Sequence, residues 1–308
     1  MSDYIEPRLR RDFGGIVTAF FNFLKANIRG LINVFIGYNG IFFILFLISV
    51  YFLVTGFIEY IVATNTSKIG ASSETAGLIM GFSAIFLFLF IIIATIFNYS
   101  ISSSYMSLYE TQKQNNIDKK LVWNKAKSVF WGIVLLALAA VAMYVVYFIV
   151  QIVLAFIPIL GSIATIIIGL GFNAWISLAI FSYVHNDDKN VFDAFGEAWQ
   201  LLFSGFWKTV GVNFVLGFLV QICLASLTIL PAFIFGIIAF HAIDNGADFE
   251  DSTLSHIMLI IILTLFCVII MFAQLISQVI NAFLYFNLHE FKHNIYLRHR
   301  VNQIGAES

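Results

Sequence analysis

Long blocks of apolar residues, almost free of charge, alternate along this chain with shorter segments in which polar positions recur every three or four residues. The long blocks lie near 41–62, 77–101, 131–156, 162–184, 209–230 and 257–285. A bilayer core takes about 20 apolar residues per helix. Hydrocarbon offers no partner to backbone amides and carbonyls, so each block predicts an α-helical span that satisfies them internally. The residue-by-residue alternation of membrane β-strands is missing.

Two stretches need dividing. Residues 131–184 are nearly continuous and carry no charged residue. At about 1.5 Å per residue they hold roughly twice what a bilayer accommodates. Pro158-Ile-Leu-Gly161 supplies the break, and two spans joined by a tight hairpin are expected there. Residues 209–243 are too long for one span and too short for two, and Pro231 interrupts them. The piece 232–242 reads either as a kinked extension or as a short re-entrant helix.

The shorter segments predict amphipathic helices, and with the spans they build a three-fold repeat over 13–111, 118–186 and 190–293. Each unit is an interfacial helix feeding a transmembrane hairpin. The clearest amphipathic segment is 190–207. Val191, Phe195, Ala198, Leu202 and Phe206 form its apolar stripe, broadened by Phe192, Trp199 and Phe203. Asp193, Glu197, Gln200, Ser204 and Lys208 lie opposite, and Asn190 is placed to cap the helix. In 15–36, Thr18, Asn22, Lys25, Arg29 and Asn33 make the polar stripe against Ile16, Ala19, Phe20, Phe23, Leu24 and Leu31. The middle copy, 118–130, sets Leu121, Val122, Ala126 and Val129 against Lys120, Asn124 and Lys127. Trp123, Trp131, Trp199 and Trp207 fall in or beside the second and third copies, where indole favours the headgroup level. The fold class expected is therefore an all-α, polytopic helical bundle of six spans in one membrane domain.

Composition agrees. Of 308 residues, 61% are hydrophobic and 11% charged, against about 25% charged in a soluble domain. Cys223 and Cys267 both sit in apolar runs and read as small buried hydrophobes. Charge sorting sets the orientation. Fifteen of the sixteen Lys and Arg lie before the first span, in 102–130, in 185–208 or after the last span. The opposite loops hold only Lys68, with Glu74, Asp244, Asp248, Glu250 and Asp251. By the positive-inside rule both termini are cytoplasmic, in a plasma or inner membrane. No removable signal peptide is apparent.

Candidate chemistry is sparse. The polar residues within the spans are Asn98, Gln151, Asn173, Asn213, Gln221, Gln274, Gln278 and Asn281, none of them charged. Gln274, Ser277, Gln278 and Asn281 share a face of the last span. They suit either a polar path between helices or interhelical hydrogen bonding, and the second is the commoner use. Glu59 is the one acid within a span, near its outer end. His289-Glu290-Phe-Lys-His293 fits the H-E-x-x-H zinc pattern. It sits at the exit of the last span, however, with only His299 and Glu307 downstream as further ligands, so a charged exit helix on anionic headgroups is the expected reading. The acidic loop 244–251 lacks calcium-loop spacing. No phosphate-binding loop, dinucleotide fingerprint or nucleophile elbow is present, and nothing supports nucleic-acid binding.

Phe192-Asp-Ala-Phe-Gly-Glu-Ala-Trp199 with Phe206-Trp207-Lys208, and Leu284-Tyr-Phe-Asn-Leu288 running into a charged tail, give the chain a resemblance. It resembles the six-span membrane domain fused to some glycerophosphodiester phosphodiesterases, and related bacterial membrane families. The phosphodiesterase domain itself has no counterpart here, so the resemblance implies an architecture and no activity. The functional expectation is a non-catalytic membrane protein, without cofactor, whose expected partners are membrane lipids and a protein of a membrane complex; it would serve as a membrane-organising, lipid-interacting or accessory subunit. A small transporter or channel using a polar path between the even-numbered spans is the alternative. A zinc metalloprotease built on His289 and His293 is a remote one.

Overall fold

The computed structural model describes residues 4–65, 73–115, 117–186, 188–244, 253–296, 298 and 301–302. The loop with Lys68, the acidic loop 245–252 and the tail residues His299, Arg300 and Glu307 lie outside these. The chain is all-α. Its helices are α1 (Phe13–Asn65), α2 (Ser73–Gln112), α3 (Lys119–Ala155), α4 (Leu160–His185), α5 (Val191–Ser204), α6 (Phe206–Asp244) and α7 (Thr253–His293). All but α5 are long and apolar enough to cross a membrane, which makes six candidate spans.

The helices are longer than the apolar blocks. α1 runs unbroken for 53 residues, about 80 Å at helical rise. The first amphipathic segment is therefore not a separate helix. Gly37 and Gly40 each cost about 1 kcal/mol relative to Ala in a helix interior. No proline accompanies them, and continuation keeps every backbone group bonded. The middle segment likewise merges with its span as the 37-residue α3. Only the third segment stands alone, because Gly205 closes α5 with a non-helical backbone before α6 begins at Phe206.

Local signals place the other boundaries. Asn190 Oδ1 accepts the Asp193 N–H at 2.9 Å and starts α5. Asp118 does the same for α3 through the Lys120 N–H. α3 and α4 are joined by a turn at Phe156–Ile159, where Ile159 adopts φ 61. α6 continues through Pro231 to Asp244, so 232–242 extends the span rather than re-entering.

The described residues divide into two compact units. One comprises residues up to Val34, Ile96–Leu219 and the part from Gln274 onward; the other comprises Phe35–Thr95 and Val220–Ala273. In the second unit Val50, Val54 and Ile58 are buried, packed by Val62, Leu87, Leu259 and Ile260. There Gly56 lets α1 approach α2 closely, since a Cβ would stand 2.9 Å from the Met80 amide nitrogen. In the first unit α3, α4 and α5 pack on one another. Ile16, Ala19, Phe20, Phe23 and Leu31 of α1 are buried there, whereas Thr18, Asn22, Lys25, Arg29 and Asn33 are exposed.

Candidate functional site

Four of the polar residues singled out within the spans, Gln278, Asn213, Asn281 and Asn173, make hydrogen bonds between helices, whereas Gln151 makes none among the described residues. Gln278 is fully buried; its Nε2 donates to Ser103 Oγ at 2.8 Å and to the Ser177 carbonyl at 3.1 Å, linking α7 to α2 and α4. Asn213 Nδ2 donates to Asn281 Oδ1 at 3.2 Å, linking α6 to α7, while Asn281 Nδ2 donates to the Ser277 carbonyl. The Tyr144 hydroxyl donates to Asn173 Oδ1 at 2.9 Å, linking α3 to α4. Asn98 is fully buried on α2, and Gln151 and Gln274 are half-buried. Ser100, Ser102, Ser103, Ser104 and Ser107 of α2 are all buried as well. Their small side chains allow close helix packing and offer hydroxyls to it. This serine run is visible in the sequence as a break in an otherwise bulky apolar block.

A second polar cluster gathers where α2, α4 and α7 end against residues 4–12. The Arg8 guanidinium pairs with Glu110 at 2.5 Å and donates from Nη2 to His185 Nε2 at 2.7 Å. Arginine has only donors, so Nε2 is an acceptor and the neutral ring carries its proton on Nδ1. That proton faces Ser107 Oγ at 3.1 Å. The Ile5 N–H donates to the Tyr109 hydroxyl, which itself donates to the Ile5 carbonyl. Asn287 Nδ2 donates to the carbonyls of Leu9 and Arg11, and Lys208 also reaches Arg11. Residues 4–12 thus form a strap across α2, α4, α6 and α7.

Glu197 of α5 anchors the neighbouring part of the cluster. Its carboxylate accepts from Lys189 Nζ at 2.5 Å, from the Ser182 hydroxyl and from the Tyr285 hydroxyl at 3.3 Å. His289 Nε2 lies 3.9 Å from its other oxygen. Burial raises the Glu197 pKa, but the Lys189 and Ser182 hydrogen bonds and the Lys189 charge outweigh it and hold the carboxyl below its ordinary value.

The H-E-x-x-H segment is built into this frame. The His289 and His293 rings lie 4.7 Å apart between centroids, with His289 also stacked on Tyr285. Glu290 is buried, and its Oε2 accepts the Tyr296 N–H at 2.9 Å. Among the described residues no group of three His, Cys, Asp or Glu is disposed to hold a metal ion.

α5 divides its aromatic residues between two faces. Ala194, Phe195, Ala198, Leu201 and Leu202 are buried. Phe192, Trp199 and Phe203 are 82%, 49% and 56% exposed, and Trp207 at the start of α6 is 72% exposed. Trp199 and Phe203 continue a ladder of ring contacts through Trp175 and Phe172 to Tyr147, with Trp175 Nε1 donating to the Phe195 carbonyl at 3.0 Å. Trp131 is exposed and Trp123 partly so; Trp123 packs edge-on against Phe97. The single apolar stripe expected on α5 is therefore two faces, one against protein and one open. Against this geometry, no family model, no curated protein and no solved structure matches the chain.

Proposed function

We propose that the protein is a non-catalytic, lipid-interacting subunit of a plasma or inner membrane, with both termini cytoplasmic, that meets the headgroup layer through α5. The observation that carries this reading is the outward row Phe192, Trp199 and Phe203 on a short helix whose other face is buried, continued by the exposed Trp207 at the start of α6. Large exposed aromatics in water would be an aggregation liability, whereas at a headgroup layer they are anchors. The interhelical pairing of Gln278, Asn281, Asn213 and Asn173 supports packing over transport.

A variant keeping only Trp199 of the five tryptophans tests the placement in vesicles of brominated lipid. The expected result is strongest fluorescence quenching by lipids brominated near the headgroup. Efficient quenching by aqueous iodide, with none by lipid, would overturn it. Reporter fusions at Gly70, Gln114 and Ser308 test the orientation, and an external Ser308 would refute it.

One observation favours the transporter alternative. Gln278 Oε1, Ser104 Oγ and Thr209 Oγ1 are buried and meet no hydrogen-bond partner among the described residues. Buried polar atoms in that state are served by water. Solute flux through proteoliposomes that disappears in Asn173→Leu or Asn281→Leu would replace the first reading with this one.

A further inference from the structure

Residues 4–12 cross the ends of α2, α4, α6 and α7, and one of their anchors holds in a single protonation state. We propose that this strap is an acid-released latch, docked while His185 is neutral and freed when that imidazole takes a proton. The latch goes beyond the lipid-interacting reading and does not rest on it.

Arg8 ties the strap to three helices. Its guanidinium meets Glu110 of α2 at 2.5 Å, donates from Nη2 to His185 Nε2 of α4 at 2.7 Å, and lies over the Phe286 ring of α7 at 5.3 Å. The bond to His185 needs a lone pair on Nε2, because arginine has no acceptor and keeps its charge. An imidazolium carries N–H on both nitrogens. It would set a donor and a second positive charge against the guanidinium. It would also have a partner of its own, since Glu110 Oε2 lies 4.0 Å from Nε2. Protonation therefore takes one partner from Arg8 and turns another toward a competitor. The His185 and Glu110 side chains are only 10% and 13% exposed, so solvent screens the clash little.

The groups around the ring reinforce the effect. Lys125 of α3, Lys189 of the α4–α5 connection and His289 of α7 all oppose a positive charge on it. Tyr285 of α7 packs its ring 6.0 Å away. Glu197 of α5 is engaged by Lys189, Ser182 and Tyr285 instead, and Glu6 of the strap accepts the Arg8 N–H. The strap's other holds are the Tyr109 hydroxyl on Ile5, Asn287 and Lys208 on backbone carbonyls, and Arg10 over the Phe291 ring. None of these side-chain types ordinarily titrates near neutrality, whereas imidazole does, at about 6.5.

The direction follows from proton counting. The docked state binds no proton at His185, and the released state does. Docking is therefore favoured above the ordinary imidazole range and lost below it, by up to about tenfold per pH unit. Release uncovers Glu110, His185 and Asn287 at the ends of α2, α4 and α7.

The experiment is hydrogen exchange of the full-length protein in detergent, with the rates of residues 4–12 corrected for intrinsic exchange at each pH. Their protection reports the ratio of docked to released strap. It is expected to fall about tenfold from pH 7.5 to about 5.5, while the interior of α4 stays protected. His185→Gln offers Arg8 an oxygen acceptor that takes no proton, and protection is expected to be level across the same range. Side-chain NMR of histidine provides a second measurement that does not depend on how that variant packs. In the unmodified protein at pH 7.5 it should show His185 neutral with its proton on Nδ1, and Arg8→Ala should let the ring take a proton at higher pH. Level protection of the unmodified strap, a fall that survives His185→Gln, or a His185 titration indifferent to Arg8→Ala would each overturn the latch.

Discussion

Burial raises the Glu197 pKa, and the groups around it more than reverse the effect. A carboxyl whose folded-state pKa is lowered contributes stability that is present above the ordinary carboxylate range and is lost as pH falls through the lowered value. Thermal unfolding in detergent should therefore show an acid-side loss of stability that Glu197→Gln reduces. At neutral pH the same substitution is expected to cost about 1–3 kcal/mol, because Lys189 and Ser182 lose a charged acceptor. Gln278→Leu removes one donor from both Ser103 and Ser177. A loss of about 1 kcal/mol is expected in unfolding by SDS, the usual worth of one interhelical contact in a membrane. The cap at Asn190 was legible because it acts three residues away. Arg8, Glu110 and His185 were not, since their meeting depends on how three distant stretches fold together.

The α3–α4 connection was legible for a similar reason. Pro158 and Gly161 interrupt an apolar run that no bilayer could hold as one helix. The positive φ of Ile159 was not, because a β-branched residue there is strained. Ile159→Gly should relieve it, and after the entropic cost of glycine a stabilisation of about 1 kcal/mol is expected, read as a higher unfolding midpoint. Helix continuity misled in the opposite direction. Amphipathic patterning locates a face but not an end, so the polar stripe of Thr18 to Asn33 is correctly placed on α1 while the break after it does not exist. In α5 the surplus of aromatics was visible in the sequence. Its division into a buried and an open face was not, because both faces are apolar.

At the scale of the molecule the two units differ in what holds them. The second is packed around Val50, Val54 and Ile58, whereas the first carries the serine run, the Gln278 bonds and the strap of residues 4–12. Arg8→Ala strips Glu110 of its partner, and that carboxylate is only 13% exposed. The expected cost is about 2 kcal/mol, less than for a fully buried pair because both groups retain some water. Limited trypsin digestion should then cut at Arg10 and Arg11 faster than in the unmodified protein.

Leu9 and Asn287, which the strap brings together, are 278 residues apart in the chain. A ribosome adding about 5–20 residues per second needs roughly 14–56 s to travel between them. During that interval the first segment made has no α7 to bind, and Arg8 leaves the ribosome long before Glu110 and His185 follow. Docking of the amino-terminal segment is therefore among the last steps of biogenesis. A nascent chain stalled before Asn287 should leave Arg10 and Arg11 open to protease, and release of the finished chain should protect them.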